Sequence, residues 1–496
     1  MSFPGVTIDW HVLAPILALA TGGLVLMIVD LMSRSAPRAV LYGIGILACV
    51  AAFVAMIPLF DVETVTLNGA FAADRFSWTF DALLLVTLAV TLLLSSLRRA
   101  EDGGSPGAYA ALLIFCTIGG MVMAGANNLI IIFLGIEQLS LALYVLAGTG
   151  FPREASQEAA LKYVLLGSLA SGFLIFGSAL LYGFSGSVQL DSFIHLSGHF
   201  NGLFFAGFAL LLVGLAFKLG LAPFHTWVPD VYEGSPLAVT GFMAVAVKVA
   251  AFSVLARLAF VMLGPPGGGP LTPNAALAMT PLWILAILSM LVGNLGAIRQ
   301  RNLKRLLGYS SIAQAGYIVV SLEAVGFIGG SGAGLMTMLF YLTAYAFTTL
   351  GAFAVMALLG DGSDSYANLD AYRGLFFRRP WPAAAMALFF FSLAGIPATA
   401  GFYGKVLLLE QALTGGWWGL VMAIALVFGT LVSFYVYGKV VWDMYAYSGD
   451  EAVVPTGNAL APWVAVAAGA AGTVVFGVLP QLFYASQPFF FIAAPR

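Results

Sequence analysis

The sequence predicts an all-α, polytopic membrane protein of about fourteen transmembrane helices. Three observations predict it. Hydrophobic residues make up 61% of the 496 and charged residues only 8%, and mean hydropathy is +1.00, values outside the range of water-soluble domains. Apolar runs of about 20 residues, the length that crosses a hydrocarbon core, recur from one end of the chain to the other. The arginines gather in alternate intervals between those runs, as they do when loops alternate between two sides of a membrane.

Taken in order, the runs centre near residues 21, 48, 86, 115, 138, 170, 211, 249, 287, 313, 345, 389, 428 and 471. The first opens behind MSFPGVTIDWHV, which lacks a basic stretch and reads as a retained helix. The fourth and fifth are separated only by Gly125-Ala126-Asn127-Asn128. The seventh and twelfth read as interrupted. Pro223 removes the hydrogen bond to the carbonyl of Leu219, beside Lys218, and Pro397 frees the carbonyl of Leu393 shortly before Lys405. Backbone broken at membrane depth is tolerated where it lines protein or water. Spans four to eight and nine to thirteen each carry one such helix, and the two stand five places apart in span order, an odd offset that opposes their directions, the arrangement of inverted-topology repeats. The predicted divisions are a three-helix segment over 1–100, a first five-helix repeat over 107–264, a second over 276–447 and a final helix over 458–486.

Orientation follows from the basic residues. Arg34, Arg38, Arg98, Arg99, Arg153, Arg299, Arg301, Lys304, Arg305, Arg373, Arg378, Arg379 and Lys439 fall on one side, while Arg75 and Arg496 are nearly all the other side holds. The first side is cytoplasmic by the positive-inside rule, and an even number of spans places both termini opposite. The net charge of −2 leaves no basic footprint for nucleic acid. Cys49 and Cys116 lie in apolar runs without CxxC spacing, so they read as core residues and not as a disulfide, zinc or iron–sulfur framework.

The chemistry lies in charges that the apolar runs should not contain. Of six lysines, Lys218, Lys248 and Lys405 sit deep within spans, and Lys162 lies near the start of another. A charged group at a helix centre costs about 2.5–3.5 kcal/mol on insertion scales. Lys248 stands on the order of 18 Å along its helix from Pro236, at 1.5 Å per residue, too deep to snorkel easily. Glu137 has no charged neighbour in its own span, so its partner must come from another helix, Lys218 or Lys162. Two of these positions also have a plainer reading: Glu158 precedes Lys162 by one helical turn, a favourable pair near the surface, and Glu410 follows Lys405 closely enough to be a counter-ion. His225, just beyond the break at Pro223, titrates near neutral pH and suits a proton relay. His195 and His199 flank Gly198 with no further ligand near, a poor metal site. No GxGxxG follows a strand and no facing histidine pair suggests haem, so no metal, nucleotide or redox cofactor is expected in this chain.

Three long stretches, KLGLAPFHTWVPDVYEGSP (218 to 236), NLKRLLGYSSIAQAGY (302 to 317) and SLAGIPATAGFYGKV (392 to 406), resemble the antiporter-like, proton-translocating membrane subunits of respiratory complex I, the proton-pumping NADH:quinone oxidoreductase. The resemblance covers nearly the whole chain. It implies a fourteen-helix bundle with two inverted repeats in the membrane arm of the complex, in a bacterial inner membrane. NADH, FMN, iron–sulfur clusters and quinone would belong to partner subunits. It also implies a proton relay in which the fifth-helix glutamate is Glu137, the seventh-helix lysine Lys218, the connecting lysine Lys248 and the exit-side lysine Lys405. The sixth-helix lysine and the histidine after the break fall on Lys162 and His225. A lysine at 405 and the absence of a long C-terminal extension argue against two of the family's three complex I branches. The mechanism expected is electrostatic: desolvation disfavours an ammonium and a nearby carboxylate favours it, so changing the pairing changes proton affinity. A subunit of a multisubunit cation/proton antiporter is the second reading, and an inactive scaffold the third.

Overall fold

Sixteen helices carry the architecture of the computed structural model, which describes residues 7–33, 36–97, 104–150, 153–196, 199–264, 271–322, 332–360, 366–447 and 460–485. Arg34, Arg98, Arg99, Gly198 and Arg496 lie outside them. The helices are α1 (Ala14–Met32), α2 (Arg38–Met56), α3 (Arg75–Ser95), α4 (Pro106–Gly125), α5 (Leu129–Ala147), α6 (Glu154–Ser185), α7 (Gly202–Leu219) and α8 (Trp227–Gly234). They continue as α9 (Leu237–Arg257), α10 (Pro273–Ala297), α11 (Leu303–Val319), α12 (Ala333–Gly360), α13 (Pro380–Ala394), α14 (Ala400–Thr414), α15 (Gly416–Ala446) and α16 (Leu460–Val478). A small antiparallel hairpin, β1 (Thr64–Thr66) with β2 (Phe71–Ala73), precedes α3.

Twelve of these are long and apolar enough to cross a membrane. The remaining spans are α11, at 17 residues, and the pair α13 and α14, at 15 each. Counted with α7 and α8 as one interrupted span and α13 and α14 as another, the helices match the fourteen runs read from the sequence. α9 and α12 are buried along nearly their whole lengths, whereas α1, α6 and α16 turn most of their surface outward. The outward faces are apolar too, as Leu161, Leu165, Leu169 and Leu431 show, which suits lipid or a neighbouring subunit.

Both interruptions open in the same way. α7 ends on Gly220 at φ 70° and α13 on Gly395 at φ 90°, left-handed positions that glycine adopts without strain. The amide of the next residue then turns back, Leu221 N to Ala216 O at 2.8 Å and Ile396 N to Phe391 O at 2.9 Å. Pro223 and Pro397 lie inside the gaps.

The halves correspond elsewhere at one constant offset. A Cβ on Gly119 would lie 2.5 Å from Leu139 N and 2.8 Å from Gly135 O, and one on Gly293 would lie 2.4 Å from Ala313 N and 2.7 Å from Tyr309 O. Those glycines let α4 close on α5 and α10 close on α11. Asn128 caps α5 and bridges to Gln189, while Asn302 caps α11 and bridges to Asn368; the two capping asparagines keep the offset, and their bridge partners do not. The same offset sets Glu137 opposite Ser311 and Ser140 opposite Gln314.

Candidate functional site

The side chains that the sequence singles out converge on the two breaks. At the first, a helix turn that ends early leaves carbonyls without partners. One of them, Leu219 O, accepts from Lys248 Nζ of α9 at 2.8 Å. Lys218, one residue earlier, turns instead toward α5, donating to Ser140 Oγ at 2.7 Å and to Tyr144 OH at 3.3 Å. Its ammonium stands 5.4 Å from the Tyr144 ring centre and 5.9 Å from that of Tyr163, a cation–π arrangement that partly replaces water. Both lysines are 3% exposed. The Tyr163 ring stacks on Trp227 at 4.6 Å, and Trp227 Nε1 donates to Phe217 O at 3.0 Å, which fixes the wall of the gap.

At the second break Lys405 Nζ donates to Leu393 O and Ala394 O, each at 2.9 Å. These are the last carbonyls of α13, and the first is the one that Pro397 was expected to free. Lys405 is 5% exposed and lies 5.2 Å from the Tyr317 ring centre. Glu410 is exposed and makes no ion pair with Lys405 among the described residues, so the counter-ion reading of Lys405 fails. Five residues are about 1.4 turns of helix, at 3.6 residues per turn, and so turn the two side chains to different faces.

Glu137 is half-buried and accepts a hydrogen bond from Ser171 Oγ of α6. Neither Lys218 nor Lys162 pairs with it in this structure, although both were its expected partners; Ser140, one turn along α5, stands where a bridge to Lys218 would run. Lys162 is committed elsewhere. It contacts Glu158 Oε1 at 2.6 Å and Asp230 Oδ2 at 2.7 Å with its side chain 40% exposed. Arg305 extends that network to Asp230 at 2.6 Å and Glu233 at 2.9 Å, around a cavity of about 170 Å³. The ion pairs bring together spans six, seven and ten at the side that carries the basic loops. Lys304 differs from its expected loop position: it opens α11 fully buried and donates to Ser235 O at 2.6 Å. His225 sits half-buried in the first gap, with no hydrogen bond to a lysine among the described residues.

Between the breaks run neutral polar groups that the sequence reading did not single out. Tyr232 OH and Ser311 Oγ are 3.1 Å apart, Tyr341 OH donates to Gln314 Oε1 at 2.5 Å, and Thr348 Oγ1 and Ser392 Oγ are 3.1 Å apart. A cavity of about 10 Å³ lies among Gln314, Tyr341, Tyr345, Thr348, Ser392 and Leu393, on the order of one water molecule in size. The signal was present in SSIAQAGY, whose serines and glutamine are unusual inside a span. Hydroxyls, amides, released carbonyls and lysines in alternation are the parts of a hydrogen-bonded proton wire. Among the described residues no three His, Cys, Asp or Glu side chains gather as metal ligands.

The family described as NADH:quinone oxidoreductase/Mrp antiporter, transmembrane, matches residues 126–433. The NADH-quinone oxidoreductase subunit N 1 of Symbiobacterium thermophilum is 40% identical over 96% of this chain and 97% of its own. Among solved structures, a chain of respiratory complex I from Thermus thermophilus with bound aureothin superposes with a TM-score of 0.79 at 33% identity, over 94% of this chain and 98% of that one. A chain of the Mrp complex from Dietzia shares the fold, with a TM-score of 0.77 at 18% identity over 95% of this chain and 51% of that one.

Proposed function

Because the chain belongs to the NADH:quinone oxidoreductase/Mrp antiporter family, on its subunit N branch, we propose that it moves protons across the membrane through Glu137, Lys218, Lys248, His225 and Lys405. It is a subunit of the proton-translocating NADH:quinone oxidoreductase, and its partners are the other membrane-arm subunits and the lipid bilayer. The donor NADH, the flavin, the iron–sulfur clusters and the quinone are assigned to those partners, and quinone reduction there drives the movement here.

One observation carries the reading: at each helix break a deep lysine donates to a carbonyl that the break released, with no carboxylate as its partner. A lysine so held is bound by neutral dipoles alone, so it can give up its proton and leave no unpaired anion behind. When Glu137 turns from Ser171 toward Lys218, its charge favours the ammonium there; when it turns away, the proton is released toward Lys248. From Lys248 the path follows His225 and the hydroxyl groups of α8, α11 and α12 to Lys405. Lys162 with Asp230 and Arg305 forms the charged rim on the cytoplasmic side. The chain is then read as a leading segment over 1–100, repeats over 107–264 and 276–447 and a closing helix over 458–486, with both termini periplasmic.

The test is proton uptake into inside-out vesicles driven by NADH, normalised to assembled complex. Glu137→Gln and Lys218→Ala are expected to assemble normally and to lower uptake by about tenfold or more, the scale of a lost proton-transfer group. Wild-type uptake in both variants would remove the relay.

A further inference from the structure

A second set of buried charges lies away from this path. Asp74 caps α3, accepting from Ser77 N at 2.8 Å, and Arg257 from the end of α9 grips it with two nitrogens, Nη1 to Oδ2 at 3.0 Å and Nη2 to Oδ1 at 3.2 Å. Arg257 also donates to Ala124 O at 3.0 Å and lies 5.0 Å from the Phe76 ring centre. Asp74 and Arg257 are both 0% exposed, so this is a buried couple held through two nitrogens, with Arg257 Nε left without a hydrogen-bond partner among the described residues.

Asp81 is different. It lies about two turns farther along α3, at 3.6 residues per turn, and is likewise 0% exposed. Neither of its oxygens has a hydrogen-bond partner. The charged groups that act on it are Asp74 from its own helix and Arg257 from α9; both Asp74 oxygens and both terminal nitrogens of Arg257 are engaged with each other, and none of them bonds Asp81. A carboxylate only accepts hydrogen bonds, and none of the described residues donates one to Asp81, whereas a carboxylic acid carries its own donor. An ionised Asp81 would be a buried charge without compensation, a state that proteins avoid.

Its depth is informative. The space beside Gly120 of α4 is closed by Leu84 and Ala250, each within 3.4 Å. Leu84 follows Asp81 by one turn of α3, and Ala250 follows Lys248 by two residues of α9. Asp81 therefore lies between the level of Lys248 and the Asp74–Arg257 couple, in the half of the bundle facing away from the basic loops.

We propose that Asp81 is a proton-holding carboxyl: it takes a proton on the outward half of the bundle and gives it up again, with the Asp74–Arg257 couple as its fixed electrostatic wall. The step moves one proton onto a carboxylate oxygen and later off it, with no other bond changed. This rests on the proton-relay reading, but its test does not.

The resting complex is treated with dicyclohexylcarbodiimide, whose carbon–nitrogen double bond adds the O–H of a protonated carboxyl in apolar surroundings, and the peptides are mapped by mass spectrometry. Label on Asp81 is expected; an unlabelled Asp81 in a complex labelled at other carboxyls would overturn the proposal, whatever the lysine variants do. Second, Asp81→Asn is expected to lower NADH-driven proton uptake per assembled complex by about tenfold, with Asp81→Glu restoring most of it. Wild-type uptake in Asp81→Asn would show a carboxyl that merely fills space and would also overturn the proposal. Should Asp81→Asn fail to assemble, the labelling result alone decides.

Discussion

The two helix breaks open on the same glycine turn and differ in charge. Each ends on a left-handed glycine, each releases carbonyls, and each offers one to a lysine. Around the first stand two lysines with Glu137 close by, on α5. Around the second stands Lys405 alone, and the positions that correspond to Glu137 and Ser140 carry Ser311 and Gln314. Geometry has been duplicated while the switchable anion has been kept in one copy. In the proposed relay the first break is thus where pairing changes proton affinity, and the second is where a proton is handed on through neutral groups.

Removing Lys248 should break the comparison most severely. Lys248→Ala leaves Leu219 O buried without a donor, a penalty of about 1–3 kcal/mol, and deletes the only lysine that joins the first break to α9. NADH-driven proton uptake per assembled complex should fall by about tenfold or more; uptake at half the wild-type rate or better would mean that the first break works without it. A smaller effect is expected from Ser140→Ala. It removes one acceptor from Lys218 but leaves Tyr144, and a hydrogen bond to a charged group is worth about 1.5–3 kcal/mol. Uptake should drop several-fold without stopping, and no change would show that Ser140 does not hold Lys218 during turnover. Least of all should follow from Lys162→Ala. Glu158 is exposed and Asp230 partly so, and pairs near the surface contribute about 0–1 kcal/mol, so assembly and uptake should stay close to wild type; a collapse of pumping would move Lys162 from the rim into the relay.

Much of this was legible in the sequence, and the missing parts share a cause. Apolar length fixed the spans, and proline chemistry located the released carbonyls of Leu219 and Leu393 before any lysine was seen to reach them. Lys218, Lys248 and Lys405 stood out because an ammonium in an apolar run has few explanations. Partner choice within a helix was legible, as for Glu158 and Lys162, but between helices it was not: Glu137 bonds Ser171, and Lys162 also bonds Asp230, because contacts between helices depend on rotation and depth, which periodicity in a uniformly apolar span does not record. Ser311, Gln314 and Tyr341 escaped for a related reason, since hydroxyls and amides can satisfy themselves within a helix. The Asp74–Arg257 couple sits at two helix ends, where charge is ordinary and its burial shows only in three dimensions.

The central claim is that the lysines at the breaks act by releasing protons and not by being charged. Lys405 tests it most directly, because arginine keeps the charge and the carbonyl contacts but does not deprotonate at working pH. The measurement is proton uptake into inside-out vesicles driven by NADH, per assembled complex, for Lys405→Arg beside Lys405→Ala. Uptake in Lys405→Arg as low as in Lys405→Ala is the predicted result, and uptake in Lys405→Arg at the wild-type rate would contradict the account.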